Sequence, residues 1–400
     1  MVKKVLAINP GSSSIKYKLY VKDTLEAISS GGAERIGLPN GEIKVKFNGT
    51  HIRTLTLDTF DKAVSELIKL MKEVELISNP EEIEYIGYRL VHGGEEITKS
   101  TKITMNEIQT IEKLSYLAPL HNPGAAQSMK SFQKFIPSAK MAAELDSEFH
   151  QTIEKVNYTY PISKKITEKY GIKKYGAHGV SHRYITQRME ELLGKKGVNI
   201  VNMHLGNGAS LCAISNSKSI DTSMGMTPLA GIFMGTRSGD IDPSIHEILK
   251  IRANMTIEEV TQMLNNESGL EGVSGVSSDI RDVVSAANNG NEQAQFTLEL
   301  YSRKIADYAI NYANKVGNNL EALVFTGGIG ENTPSVRKRV IEMLPLLNIE
   351  FDDKANSSSF EDDYKIITKP ESKIQVYVVR TDEEIVIAKD AIKFYEEENV

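Results

Sequence analysis

A single cysteine, Cys212, in a chain of 400 residues excludes an internal disulfide and a cysteine-built zinc site, and it fits a reducing compartment. Long apolar runs are missing too: no stretch approaches the ~18 residues of a membrane span, and Met1-Val-Lys-Lys leads into a strand-like segment rather than a signal-peptide core. A cytoplasmic protein without a membrane partner is therefore expected. Nor is there an excess of one charge. The 47 Lys and Arg against 53 Asp and Glu leave −6, which argues against nucleic-acid or anionic-membrane binding, because both partners attract clustered positive charge. What is present is a 40 % hydrophobic fraction, enough for a large core, in a length that suggests two domains.

Hydrophobic periodicity outlines the elements. Val5–Ile8, then Asn9-Pro-Gly-Ser-Ser-Ser14, then the alternating Ile15–Val21 reads as strand, turn, strand. The pattern recurs at Ile200–Ile214, with His204 at the place of Asn9 and Gly206 at that of Gly11, which hints at a duplicated domain. Helices are predicted over Thr59–Leu76, from the capping box Thr256-Ile-Glu-Glu259, over Leu298–Val316, over Glu331–Leu347 and from Glu383 to Glu397. Ala322–Thr326 and Val376–Val379 read as buried strands. Ser29–Gly32, Ser215–Ser219 and Ala355–Ser359 read as loops. Strands mixed with helices, and hairpins alongside strand-to-helix turns, indicate α/β domains with mixed sheets.

Three glycine-rich segments invite a phosphate. Asn9–Lys16 offers small residues, hydroxyls and the cation of Lys16, but it is no Walker loop, since a strand follows rather than a helix. His204-Leu-Gly-Asn-Gly-Ala-Ser210 is a second such turn, and Gly327-Gly-Ile-Gly-Glu-Asn332 joins a strand to a helix whose N-terminus suits a nucleotide. Each alone also reads as a structural turn; three together favour a nucleotide polyphosphate. Arg89 and His92 stand beside a tight turn, and Arg237 lies between Gly235 and Gly239, placed for an anion or for an ion pair with Asp240 or Asp242. His178 and His182 are four apart, but Gly179 between them weakens a metal reading, and His182 fits a structural role. Asp146 ends an apolar run, a usual place for a site residue in α/β folds. If Thr381 caps the last helix, Glu384 is its capping-box partner and Glu383 is freer to orient a metal.

Taken together, Asn9-x-Gly-Ser-Ser-Ser-x-Lys16, Arg89 with Val91-His-Gly-Gly94, Pro119–Pro123, Phe149–Thr152, His178–Arg183, His204–Ser210, Asp221–Gly225, Met234–Asp240 and Gly328–Asn332 closely resemble the acetate kinase family, in family order over nearly the whole chain. The resemblance implies a duplicated two-domain actin-like ATPase fold of ribonuclease H-like type, with mixed sheets and ATP in an interdomain cleft. It places an N-terminal domain at 1–148, a C-terminal domain with the nucleotide site at 149–384, and a terminal helix, 385–400, packed back on the first. It also implies a homodimer and reversible phosphoryl transfer from ATP to acetate, giving ADP and acetyl phosphate with Mg²⁺, or Mn²⁺ in its place. By carry-over, Asn9 and Glu383 serve the metal, Lys16 with His204, Leu205, Gly206, Asn207 and Gly208 holds phosphates, and Asp279, Ile280 and Arg281 with Gly327, Gly328, Ile329, Gly330 and Glu331 binds the nucleotide. Arg89 takes the acetate carboxylate, Val91, Leu120 and Pro228 wall its methyl group, and His178 and Arg237 serve the transition state. Asp146 is expected to position the metal rather than take a proton, because acetate is already ionised at neutral pH.

The chain departs from the family pattern in places. Pro10 stands where Ser is common, Ser147-Glu148 where Thr-Ala is usual and Asp382 where Asn is usual. Ala177 replaces a Phe of the methyl pocket, which leads us to expect a wider range of acids. A propionate or butyrate kinase on the same machinery is the near alternative. An actin- or Hsp70-like ATPase is the remote one, and it leaves Arg89, His178 and Arg237 together unexplained.

Overall fold

The structure, a computed structural model, describes residues 2–119 and 121–396. By contact the chain divides into unit 1, Met1–Glu148 with Asp382–Val400, and unit 2, Phe149–Thr381. The return to unit 1 thus begins at Asp382, three residues before 385, so Glu383 belongs to unit 1.

Unit 1 is built on strands β1 (Lys4–Pro10), β2 (Ile15–Val21), β3 (Ala27–Glu34), β4 (Gly41–Lys46), β5 (Thr50–Leu55), β6 (Ile83–Leu90), β7 (Thr101–Lys102) and β8 (Lys140–Leu145), in the order β5-β4-β3-β2-β1-β6-β8-β7. Helices α1 (Phe60–Glu73), α2 (Met105–Lys113), α3 (Asn122–Phe135) and α15 (Glu383–Glu396) accompany the sheet. Helix α1 forms as its periodicity requires: Thr59 caps it by accepting from the Lys62 N–H, while Ala63, Val64, Leu67, Ile68 and Met71 turn inward. Helix α15 packs on β1, β6 and β8. It comes so close that a Cβ at Gly87 of β6 would strike Ile387. Ser29–Gly32, expected as a loop, lies inside β3; a Cβ at Gly31 would run into the Lys44 carbonyl oxygen, so the glycine serves close strand approach rather than a turn.

Unit 2 carries β9 (Ile200–Leu205), β10 (Ala209–Ser215), β11 (Lys218–Thr222), β12 (Ala322–Thr326), β13 (Tyr364–Ile366) and β14 (Gln375–Val379), ordered β11-β10-β9-β12-β14-β13. Its helices are α4 (Lys155–Tyr158), α5 (Lys164–Tyr170), α6 (Gly179–Leu192), α7 (Ile245–Ala253), α8 (Ile257–Asn266), α9 (Gly269–Ser274), α10 (Ile280–Asn288), α11 (Glu292–Val316), α12 (Gly327–Asn332), α13 (Pro334–Glu342) and α14 (Asp353–Ser357). The capping box at Thr256 opens α8, and α11 stops at Gly317, both as predicted. Helix α11 starts six residues earlier than the periodicity suggested, because Asn291 caps it on the Ala294 N–H. The segment 331–347 is not one helix: Gly327–Gly330 already form the first turn of α12, and Pro334, which cannot continue a helix, separates it from α13. Residues 355–357 close α14, capped by Asp352.

The duplication is visible in the pairing. In each unit the first strand pairs antiparallel with the second and the second with the third. The first also pairs parallel with a later strand, β6 or β12, and that strand with a further parallel one, β8 or β14, giving β3-β2-β1-β6-β8 and β11-β10-β9-β12-β14. This is the ribonuclease H-like order. Register carries the likeness to the turns, where Asn9 faces Lys16 and His204 faces Ser210. No helix among the described residues is long and apolar enough to cross a membrane.

Candidate active site

In unit 1 the parallel strands β6 and β8 end side by side, with Arg89 near the end of one and Asp146 just past the other. Arg89 Nε lies 3.1 Å from both Asp146 carboxylate oxygens and Nη2 lies 2.7 Å from Oδ2. Its Nη1 stands 3.3 Å from Glu383 Oε2, in the first turn of α15. Asp146 is wholly buried and Glu383 nearly so. Burial disfavours the Arg89 charge, but Asp146 and Glu383 outweigh it and hold the guanidinium protonated. Burial pushes the Glu383 carboxyl up to about 7; Arg89 opposes the rise, while Asp146, Glu384 and Asp382 add to it. Lys18 answers Asp382 at 2.8 Å. Asp382, not Thr381, caps α15, since its Oδ1 accepts from the Ile385 N–H. Asn9 and Lys16 face each other across the β1–β2 turn, Lys16 exposed, with Gly11 N–H donating to Ser14 O. Val91 is buried; Leu120 lies outside the described residues.

In unit 2 the β9–β10 turn organises a second cluster. Gly206 N–H donates to the Gly208 carbonyl, closing the turn. His178 precedes α6 in the left-handed region, φ 57°, which aims its ring back at the turn. Its Nδ1 meets Ser210 Oγ at 2.9 Å, and its ring lies 4.4 Å from that of His204. A Cβ at Gly208 would sit 3.3 Å from His178 Nε2 and 3.7 Å from Arg237 Nη2, so the bare glycine leaves both groups beside the turn. Arg237 Nη1 donates to the Pro228 carbonyl oxygen. Asp240, weighed as an ion partner for Arg237, accepts instead from Gly231 N–H and Tyr308 OH. His182 is fully buried against Ser210 and Asn202; burial, with His150 and His204 nearby, drives its pKa well down and keeps it neutral.

The same turn forms one wall of a groove of about 540 Å³ lined by Gly206, Asn207, Ser278–Arg281, Gly328, Ile329, Asn332 and Thr333. Three segments far apart in sequence meet there. Asp279 caps α10 by accepting from the Arg281 N–H and also holds the Arg281 guanidinium. Gly327 and Gly330 do not line the groove, and Glu331 faces away from it. Glu331 Oε1 accepts from Gly327 N–H and Thr381 N–H, bracing the glycine helix against the end of β14, and burial raises its pKa. Leu205 is buried beneath the turn. Arg337, fully buried, donates to the Gly330 and Glu331 carbonyls and to Asn356. Sequence reasoning missed Arg337, along with Ser278, Thr333 and Asn202, and it placed Ser210 and Asn332 inside quoted motifs without giving either a role. Only the cross-strand register of His204 and Ser210 offered a signal for one of them.

Residues 4–389 match the model of the acetokinase family. An acetate kinase of Mycoplasmopsis pulmonis (strain UAB CTIP) is 52 % identical over 390 residues, 98 % of this chain and 99 % of that protein. An acetate kinase of Bacillus subtilis (strain 168) is 41 % identical over 393 residues, again 98 % and 99 %. Among solved structures, Porphyromonas gingivalis acetate kinase superimposes with a TM-score of 0.91 at 38 % identity, covering 98 % of this chain and 100 % of its own. A propionate kinase from Francisella tularensis subsp. tularensis SCHU S4 gives 0.91 at 36 % identity, covering 97 % and 98 %.

Proposed function

The chain belongs to the acetokinase family, and on that premise we propose that it catalyses reversible transfer of the ATP γ-phosphoryl group to acetate, yielding acetyl phosphate and ADP. The observation that carries this reading is the shared turn of unit 2. Gly206 and Asn207 line a nucleotide-sized groove while Gly208, next in sequence, leaves room for His178 and Arg237. A nucleotide in the groove would lay its phosphates along the turn toward those two groups. The attacking acetate oxygen and the departing ADP oxygen lie in line across the γ-phosphorus, and charge gathers on the three equatorial oxygens. Arg237 and His178 are proposed to stabilise that charge. Arg89 is proposed to orient the acetate carboxylate through Nη1, whose 3.3 Å contact with Glu383 is longer than those of 2.7 and 3.1 Å that Nη2 and Nε make with Asp146. No general base is needed, since acetate enters ionised.

The donor set of unit 1 fits Mg²⁺. Asp146, Asp382, Glu383 and Glu384 lie close enough to act on one another's charge, Arg89 pairs with Asp146 and Glu383 and Lys18 with Asp382, and all four carboxylates offer hard oxygen ligands. No group of three or more His, Cys, Asp or Glu among the described residues makes a ready cage, but Mg²⁺ commonly uses one or two carboxylates together with substrate phosphates. Asn9 and Glu383 would hold the ion and Asp146 would position it; when bound, it neutralises phosphate charge. A cytoplasmic homodimer completes the proposal. Helices α4, α5 and α7 bury none of their residues yet expose Val156, Ile166, Tyr170, Ile248 and Ile251, apolar side chains that a second copy would cover. The deciding assay traps acetyl phosphate with hydroxylamine in the presence of ATP and acetate. Acetate-dependent product formation is expected, whereas ATP hydrolysis indifferent to any carboxylate would refute the reading and favour an actin-like ATPase.

A further inference from the structure

Behind His178 lies a chain of buried polar side chains that the proposed chemistry does not use. His178 Nδ1 meets Ser210 Oγ at 2.9 Å, the same Oγ meets His182 Nε2 at 2.9 Å, and His182 Nδ1 meets Asn202 Nδ2 at 2.8 Å. Ser210, His182 and Asn202 are all fully buried. We propose that Asn202, His182 and Ser210 form a positioning relay that fixes the His178 imidazole in one tautomer, with its proton on Nε2 and directed at the phosphoryl group. This inference rests on the reading of His178 as a group that acts on the transferring phosphoryl.

The polarity follows from counting protons. A neutral imidazole carries one N–H, and the Asn202 amide donates to His182 Nδ1, so the His182 proton sits on Nε2 and is given to Ser210 Oγ. Ser210 has a single hydroxyl hydrogen, which then goes to His178 Nδ1. His178 is left with Nε2–H, the atom nearest the side-chain space of Gly208 and next to Arg237. The reverse polarity would turn the Asn202 amide around. That would bury both of its N–H donors without a partner, whereas the observed orientation pairs one of them and leaves the other N–H and the Oδ1 acceptor unsatisfied, the cheaper of the two because an acceptor is less costly to orphan than a donor. In the reversed relay His178 would present a lone pair to phosphate oxygens and repel them.

The test is histidine tautomer spectroscopy joined to kinetics. With ¹⁵N-labelled histidines, long-range ¹H–¹⁵N correlation of the full-length protein should show His178 and His182 both as Nε2–H tautomers. Ser210→Ala should populate the Nδ1–H form of His178 and lower kcat on the order of tenfold, as loss of an outer-shell partner of a working histidine does, with KM for ATP and acetate little changed. Ser210→Thr, which keeps the hydroxyl, should restore both readings. An Nδ1–H His178 in the unaltered chain overturns the relay. So does a Ser210→Ala variant whose rate falls while its tautomer stays put, or whose tautomer changes while kcat does not. Absence of acetate-dependent turnover in the unaltered chain would instead overturn the proposed function, while the spectra judge the relay separately.

Discussion

Replacing Glu383 with Gln should stabilise the metal-free protein in alkaline solution while disabling it. The Glu383 carboxyl is nearly buried and has its pKa pushed up to about 7, against 4.5 for an ordinary glutamate, chiefly by desolvation. A carboxyl whose folded pKa lies above its unfolded value gives its full contribution below about pH 4.5 and loses it as pH rises through about 7. The gap corresponds to about 3 kcal/mol at pH 8. That figure is an upper bound, since Gln also deprives Arg89 Nη1 of an ionic partner, although Asp146 still holds the other two nitrogens. At about 2–4 °C per kcal/mol for a unit of this size, the melting temperature should rise by up to roughly 10 °C at pH 8 and scarcely at pH 5. Thermal unfolding followed by circular dichroism in EDTA, from pH 5 to 8, measures it. Activity should move the other way, because the variant lacks the proposed metal-holding carboxylate. Parallel pH profiles for the variant and the unaltered protein would refute the argument, for they would mean that Glu383 is ionised in the fold at no cost.

Other perturbations probe unit 2. Arg237→Ala should lower kcat by about 10²-fold or more, as loss of a charge-stabilising group does, and near-normal turnover would refute its role. Arg337→Met should cost about 3–5 kcal/mol in urea unfolding, because its buried guanidinium donates to the carbonyls of Gly330 and Glu331 and to Asn356 Oδ1, and Met can donate to none of them; the Asn356 carbonyl keeps Lys365 Nζ. Ala177, 3 % exposed and bonded through its carbonyl oxygen to His150 Nε2, precedes His178. Ala177→Phe should lower kcat/KM for propionate relative to acetate by about tenfold, and an unchanged ratio would show that this position does not set the range of acids.

Local pattern carried much of the fold. The strands on either side of the Asn9–Lys16 and His204–Ser210 turns, helix α1 and the capping box of α8 were legible because alternation, helical periodicity and capping act within a few residues. The misread segments have tertiary causes. Gly31 looks like a turn residue until the Lys44 carbonyl is seen against it, and Gly327–Gly330 look like a loop until Arg337 and Glu331 are seen tying them into a helix. Motif order was enough to place the acetokinase resemblance, because such motifs are local too.

From the sequence alone came the duplicated strand-turn-strand units, the absence of disulfide chemistry and of a polyanion-binding charge, and the set of cations and glycines suited to phosphate. Tertiary structure alone decided how they act. Arg89 and Asp146 are 57 positions apart, yet the parallel register of β6 and β8 makes them one ion pair. Burial then raises the pKa of Glu383 beside them, and strand register sets Ser210 between two histidines. A side chain's type is written in the chain, but its charge state and the direction of its hydrogen bonds depend on the neighbours and the solvent that folding brings or removes.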